Sequence, residues 1–186
     1  FSLFPITDFD IWFHLAEGRL MIQDWYFPYT DVFSYTAQGA PNYPNSWGFP
    51  AFSYAAFKVF GLNGLNIVKA AIPAFIFCLV AFFLYRRKLL SWLGLAFPVA
   101  ALFSTREGLS LRPHTFAYLP FAGFLLALAW YRDTRNAKAI WFLAGIQFLW
   151  VNLHASSVLG PAIAFLFLIS ETFQHKRLDK KNVLLT

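Results

Sequence analysis

Two aspartates and a histidine lie close together near the start of the chain, in the string ITDFDIWFHLAEG at residues 6–18. A helix beginning near Asp10 places Asp10 and His14 on one face, with Asp8 just before its first turn. Paired carboxylates beside a histidine can supply a general base. They can also bind a divalent cation such as Mg²⁺ or Mn²⁺ through oxygen ligands. A simpler alternative is that Asp8 caps the helix and the neighbouring aromatic residues anchor it at a membrane surface.

Two further polar strings carry groups suited to an anion. The string STREGLSLRPH contains Arg106, Arg112 and His114, and WVNLHASS contains Asn152 and His154. Guanidinium groups bind phosphate through a planar fork of N–H donors, so Arg106 and Arg112 predict an anion site. The alternative is that both arginines extend towards lipid headgroups. Asn152 and His154 either close a cavity on the outer side of the membrane or form hydrogen bonds between helices.

The elements that must position these groups are strongly apolar. The chain is 59% hydrophobic and 13% charged, whereas soluble domains carry about 25% charged residues. A soluble domain would have difficulty burying 24 Phe and 7 Trp side chains. Hydrophobic runs cover residues of about 66–85, 89–104, 114–131, 138–153 and 157–173. We therefore predict an all-α fold, a polytopic bundle with a transmembrane region of five helices across 66–186.

The distribution of charge predicts the orientation of this bundle. The connections 86–88, 132–138 and 174–181 contain three, three and four of the 15 Lys and Arg residues. The positive-inside rule places them in the cytoplasm, so the net charge of +6 reflects membrane orientation rather than nucleic-acid binding. Residues 1–65, 105–113 and 154–156 then face outwards. Six of the nine acidic residues fall on that outer side: Asp8, Asp10, Glu17, Asp24, Asp31 and Glu107.

The segment 1–65 is predicted to be an extracytoplasmic loop that contains two short interfacial helices. These are expected at 10–22 and 50–60, on either side of a stretch rich in Pro, Gly, Asn and Tyr. Residues 1–6 resemble the end of an upstream span, so the chain is expected to be a fragment. The lone Cys78 lies in an apolar run, which favours a buried thiol.

The outer segment resembles the first outer loop of bacterial polytopic membrane proteins that are themselves similar to the GT-C class of glycosyltransferases. Their loop reads D-x-D-x-W-[WF]-H-L-x-x-G, then P-x-x-D-x-[FY]-S-[FYW]-T, then an H-E-W type of stretch. The first two motifs match here at 8–18 and 28–36, and LRPHTFAYL (111–119) and WVNLHASSVLG (150–160) resemble later segments. The chain departs from the pattern at Ser46, where the family has Glu.

The resemblance implies transfer of a sugar from a polyprenyl-phosphate or polyprenyl-diphosphate donor, on the outer side of the bacterial inner membrane. Asp8 and Asp10 would be the acidic pair, acting as the base or holding a metal. On this reading Arg106 and Arg112 stabilise the charge of the leaving phosphate. The histidines (His14, His114 and His154) would orient these groups, and the lipid tail of the donor would enter between spans.

A non-catalytic membrane protein is the main alternative, either a lipid or glycan carrier or a structural subunit of a larger assembly. It explains the spans and the aromatic residues equally well. It explains less well why Asp, Arg and His residues gather on one side. A transporter is a weaker alternative, because Lys69 is almost the only charge within a predicted span.

Overall fold

The computed structural model describes residues 8–44, 46–104 and 110–183 of the chain. Within these ranges the fold is all-helical, and the one β-type pairing is an isolated bridge between Thr30 and Pro41. The helices are α1 (Asp10–Ile22), α2 (Gly48–Arg86), α3 (Trp92–Ser104), α4 (Pro113–Thr134), α5 (Lys138–Leu153), a short 3₁₀ helix (Ala155–Val158) and α6 (Leu159–Val183). The predicted upstream tail at 1–6 lies outside the described residues.

Two helical stretches in the described part of the chain are long and apolar enough to cross a membrane. They are Gly48–Arg86, with a hydropathy of 2.5, and Ala155–Gln174, with a hydropathy of 1.6. Each of the five predicted hydrophobic runs lies largely in a helix, but α3 and α5 are too short to meet that criterion, and α4 does not meet it either. The described residues therefore establish an all-helical fold with two potential spans.

Helix α2 consists of two helical stretches that join at a kink. We expected separate helices at 50–60 and 66–85, and the structure has a helical stretch on each side of Gly61, whose own backbone is not helical. Gly61 has φ 65° and ψ −160°, a conformation that glycine adopts readily because it has no Cβ. The helix bends there and continues at once, so that α2 has a first arm, residues 48–60, and a second arm, residues 62–86.

The first arm of α2 packs against α1, whose bounds coincide with the predicted helix at 10–22. Gly18 lies so close to the first arm that a Cβ on it would be 2.1 Å from the carbonyl oxygen of Pro50. Ile11 and Leu15 of α1 are buried in a core that also contains Phe49. The remaining members of this core come from both arms of α2 and from the start of α4: Tyr54, Leu65, Ile72, Leu111 and Phe116.

A second core joins α4 to α5. The indole of Trp150 is 1% exposed and lies against the rings of Phe121 and Phe124. This packing makes α4 and α5 an antiparallel hairpin. Cys78 in the second arm of α2 is exposed, so the expectation of a buried thiol was wrong. The side of α2 that carries Cys78 is not covered by the other described helices. An apolar side chain can remain there if lipid covers it.

Ion pairs between helix ends show which ends of the helices lie together. Arg87, just after α2, pairs with Asp133 near the end of α4, with 2.8 Å between Nη2 and Oδ2. Arg135, in the turn between α4 and α5, pairs with Glu171 of α6. We call this the basic end, defined by residues 86–88 and 132–138. The start of α4 and the end of α5 therefore lie at the opposite end.

Candidate functional site

Arg112 brings the two aspartates of the N-terminal motif together at the end opposite the basic end. Its Nη2 lies 3.1 Å from Oδ1 of Asp8 and 3.2 Å from Oδ2 of Asp10, and its Nε also donates to Asp8. These residues are about a hundred positions apart in sequence, yet they form one ion-paired group, which we call the Asp8–Asp10–Arg112 cluster. The sequence had placed all three on the outer side, and the structure puts them in direct contact.

The local backbone explains how each member is presented. Asp8 precedes α1 and accepts a hydrogen bond from the backbone N–H of Asp10 at 3.2 Å, so one carboxylate both caps the helix start and holds the arginine. Arg112 is extended (φ −126°, ψ 158°), as expected for a residue before a proline, and Pro113 begins α4. The carbonyl of Ser110 accepts hydrogen bonds from Arg112 N and Thr115 Oγ1, which fixes this turn.

The two carboxylates differ in environment. The side chain of Asp8 is 8% exposed and that of Asp10 is 60% exposed. Hydrogen bonding to Arg112 lowers the pKa of Asp8, although burial acts in the opposite direction. The same contact raises the pKa of Arg112. Asp8 is thus a fixed anion that positions the guanidinium, whereas Asp10 is the carboxylate open to another molecule.

The lowered pKa of Asp8 predicts a specific acid sensitivity. A carboxylate whose pKa is lower in the folded state stabilises the fold above its usual value of 3.8, and this contribution is lost as pH falls through the folded-state pKa. The melting temperature of Asp8→Asn should therefore lie below that of the native protein at pH 7. The difference should begin to shrink as pH falls towards 3.8 and should continue to shrink below that pH. Thermal unfolding in detergent measures it, with Asp24→Asn as the control, and a difference independent of pH would contradict this role.

Two histidines lie near each other at the same end. Burial lowers the pKa of His154, and the charge of His114 lowers it further. Nδ1 of His154 accepts a hydrogen bond from the backbone N–H of Ser156 at 3.1 Å, while Trp150 Nε1 donates to Ser156 Oγ at 3.2 Å. Because Nδ1 is an acceptor, the neutral ring carries its proton on Nε2. His154 therefore caps the 3₁₀ helix and keeps Nε2–H as a donor.

Two further proposed site residues, His14 and Asn152, have contacts that the structure shows. His14 faces Glu17, with 3.4 Å between Nδ1 and Oε2, and its ring meets Phe49 edge-on between α1 and α2. The side-chain amide of Asn152 donates to the carbonyl of Phe148 within its own helix, at 2.7 Å. His14 therefore contacts its own helix and the first arm of α2. The amide of Asn152 bonds within α5. Arg106 lies outside the described residues.

The sequence also predicted a divalent metal ion bound by the carboxylates of Asp8 and Asp10. Among the described residues, no three His, Cys, Asp or Glu side chains are gathered as a metal-binding group. Mg²⁺ prefers an octahedron of oxygen ligands. The guanidinium of Arg112, itself a cation, already pairs with both carboxylates. A metal ion at Asp8 and Asp10 stays a prediction.

An apolar cavity of about 700 Å³ runs between α2, α3 and α4. Its lining is almost entirely hydrocarbon and includes a proline from α2 and one from α3, Pro73 and Pro98. Tyr118 lies in the same wall, and its ring meets that of His114 edge-on, with 6.2 Å between the centroids. Tyr118 therefore lines the cavity and also contacts His114, which lies two residues after Arg112.

The site includes residues that the sequence did not single out. The hydroxyl of Ser110 adds to the hydrogen bonds that keep Asp8 ionised. Ser156 and Trp150 fix the orientation of His154. No spacing rule marks a serine that acts through a turn, and a tryptophan in an apolar run looks like any core residue. Trp150 and Ser156 both lie in the string WVNLHASS, but only their contacts in the structure reveal their roles.

No family model, curated protein or solved structure matches this chain.

Proposed function

We propose that the chain is part of a polytopic membrane glycosyltransferase resembling the GT-C class. It would transfer a sugar from a polyprenyl-phosphate donor to an acceptor hydroxyl on the extracytoplasmic side of the bacterial inner membrane. One observation carries the proposal: a guanidinium and two carboxylates lie together at one end of a helical bundle whose apolar cavity reaches towards that end. A phosphate-linked lipid needs a cation for its head and a hydrocarbon surface for its tail.

The arrangement of the helix ends supports the proposed topology. Two of the three basic connections meet at one end through the Arg87–Asp133 and Arg135–Glu171 pairs. The Asp8–Asp10–Arg112 cluster and the pair His114 and His154 lie at the other end. Positive connections on the cytoplasmic side would place the cluster outside, together with residues 1–65. The five apolar segments would then cross the membrane in alternating directions, with α3 and α5 extended by their flanking residues.

The chemistry follows from the two environments of the carboxylates. Asp10 takes the proton from the acceptor hydroxyl while the acceptor oxygen forms a bond to the anomeric carbon. The bond between that carbon and the phosphate oxygen breaks, and the phosphate leaves with the electron pair and the added negative charge. Arg112, held by Asp8, stabilises that charge. His154, whose Nδ1 is occupied by Ser156, would use its Nε2–H as a donor.

The direct test measures transfer from a radiolabelled polyprenyl-phosphate sugar by the full-length protein in proteoliposomes. We expect label to leave the lipid fraction in the native protein, with release of free polyprenyl phosphate. The double variant Asp8→Asn/Asp10→Asn should abolish this transfer. Equal transfer by the native protein and the double variant would refute the proposed roles of the carboxylates.

A non-catalytic lipid or glycan carrier is the second candidate. The observation that favours it is that both carboxylates already neutralise Arg112, as expected if the cluster only holds α1 to the start of α4. A carrier would bind the lipid-linked sugar and release it unchanged. The transfer assay distinguishes the two, because a carrier retains the label on its polyprenyl phosphate in every variant.

A further inference from the structure

The basic end carries more positive charge than its own carboxylates can neutralise. Its connections contain six cations, namely Arg86, Arg87, Lys88, Arg132, Arg135 and Lys138. Two carboxylates are paired with them, Asp133 with Arg87 and Glu171 with Arg135. The described residues therefore leave a net charge of +4 at this end.

The Arg87–Asp133 pair organises this charge in space. It ties the end of α2 to the end of α4, and the cations that adjoin it in sequence are Arg86 and Lys88 on one side and Arg132 on the other. All three of these side chains are exposed. The ion pair therefore brings two separate connections, with the exposed cations next to it in sequence, to the same end of the bundle.

Exposed aromatic residues border the same surface. Tyr85 is 65% exposed, Trp92 is 92% exposed and Trp141 is 78% exposed, and they adjoin the connections of the basic end. Tyr and Trp are enriched where a membrane meets water, because one part of the ring is apolar and the other forms hydrogen bonds. Cations beside such rings lie at the depth of lipid headgroups.

We propose that the basic end binds the headgroup of an anionic phospholipid of the cytoplasmic leaflet. The phosphate would lie against Arg86, Lys88 and Arg132, with the acyl chains along the neighbouring apolar helices. Basic surfaces between helix ends on the cytoplasmic side are a recurring means of holding anionic lipids. The proposal rests on the membrane location given above, but not on sugar transfer.

The test uses the full-length protein in a neutral detergent, titrated with fluorescent phosphatidylglycerol or with phosphatidylcholine as the zwitterionic comparison. The variant Lys88→Gln/Arg132→Gln removes two exposed cations and leaves both ion pairs intact. Its matched control, Arg19→Gln/Lys58→Gln, removes two exposed cations from α1 and the first arm of α2. Thermal unfolding of each variant checks that the fold is retained.

We expect the native protein and the control to prefer phosphatidylglycerol, and the Lys88/Arg132 variant to bind it at least about tenfold more weakly. Added salt should weaken phosphatidylglycerol binding by the native protein, which tests the same point without any substitution. Equal affinity for both lipids, or equal losses in the two variants, would overturn the inference. The full-length protein is also reconstituted into phosphatidylcholine vesicles. If it inserts but shows no preference for phosphatidylglycerol in the titration, this inference alone is refuted. If it does not insert, the membrane location is refuted.

Discussion

Replacement of Asp10 by Asn is expected to lower the rate of sugar transfer by about 10²–10⁴-fold, the usual contribution of a positioned general base. Asn has nearly the same shape as Asp but cannot accept a proton at neutral pH. The side chain is 60% exposed and contributes one ion pair to Arg112, so the fold should be retained. Initial rates of transfer from the polyprenyl-phosphate donor, with thermal unfolding alongside, measure both effects.

The comparison with Asp8→Asn separates the base from the residue that positions Arg112. Asp8 holds Arg112 through two donors, so its loss should weaken donor binding and lower the melting temperature. Asp24→Asn is the matched control, since Asp24 is an exposed carboxylate of the same outer segment that pairs with Arg19 at 3.8 Å. If Asp10→Asn transfers sugar as fast as this control, Asp10 is not the base.

Gly18→Ala is expected to have the second large effect, on stability. The new Cβ would lie 2.1 Å from the carbonyl oxygen of Pro50 and 2.6 Å from Cβ of Tyr54. The carbonyl oxygen of Pro50 belongs to the backbone and cannot rotate away as a side chain can. Helix α1 must therefore move away from the first arm of α2. Overpacking of this kind costs about 1–3 kcal/mol in the free energy of unfolding. Because α1 carries Asp10, the displacement should also slow transfer.

The matched control for this substitution is Gly145→Ala in α5. Gly145 is also a helical glycine, but a Cβ on it would meet no atom within 4 Å. The melting temperature of Gly145→Ala should therefore equal or exceed that of the native protein, because alanine has a higher helix propensity than glycine. Thermal unfolding of both variants in the same detergent measures the difference. Similar melting temperatures for the two would show that α1 does not pack tightly against α2.

The sequence predicted the parts of this fold that depend on local pattern and on charge. Helix α1 has the predicted bounds because an acidic residue begins it and an apolar pattern continues through Ile22. The meeting of Asp8 with Arg112 was also foreseeable, since charge asymmetry placed both on the outer side. Two potential spans are established, whereas the five-span bundle, the membrane and the sugar-transfer chemistry stay predictions.

Other features depend on tertiary contacts that no local pattern encodes. Gly61 interrupts the helical backbone of α2, and the second arm begins directly after it and buries Leu65 and Ile72, a continuation that no local pattern predicted. Asn152 was expected to close the cavity or to bond between helices; its amide N–H donates to its own helix, and its place in a site stays a prediction. The capping of the 3₁₀ helix by His154 depends on its contacts with Ser156 and was not visible in the sequence.

The most direct test of the central claim is the binding of polyprenyl phosphate itself to the full-length protein. We expect polyprenyl phosphate to quench tryptophan fluorescence in a saturable way in detergent, and polyprenol, which lacks the phosphate, to bind at least about tenfold more weakly. Arg112→Gln should lose that preference, and Arg19→Gln should keep it. Equal binding of the phosphate and the alcohol by the native protein, or an unchanged preference in Arg112→Gln, would contradict the account.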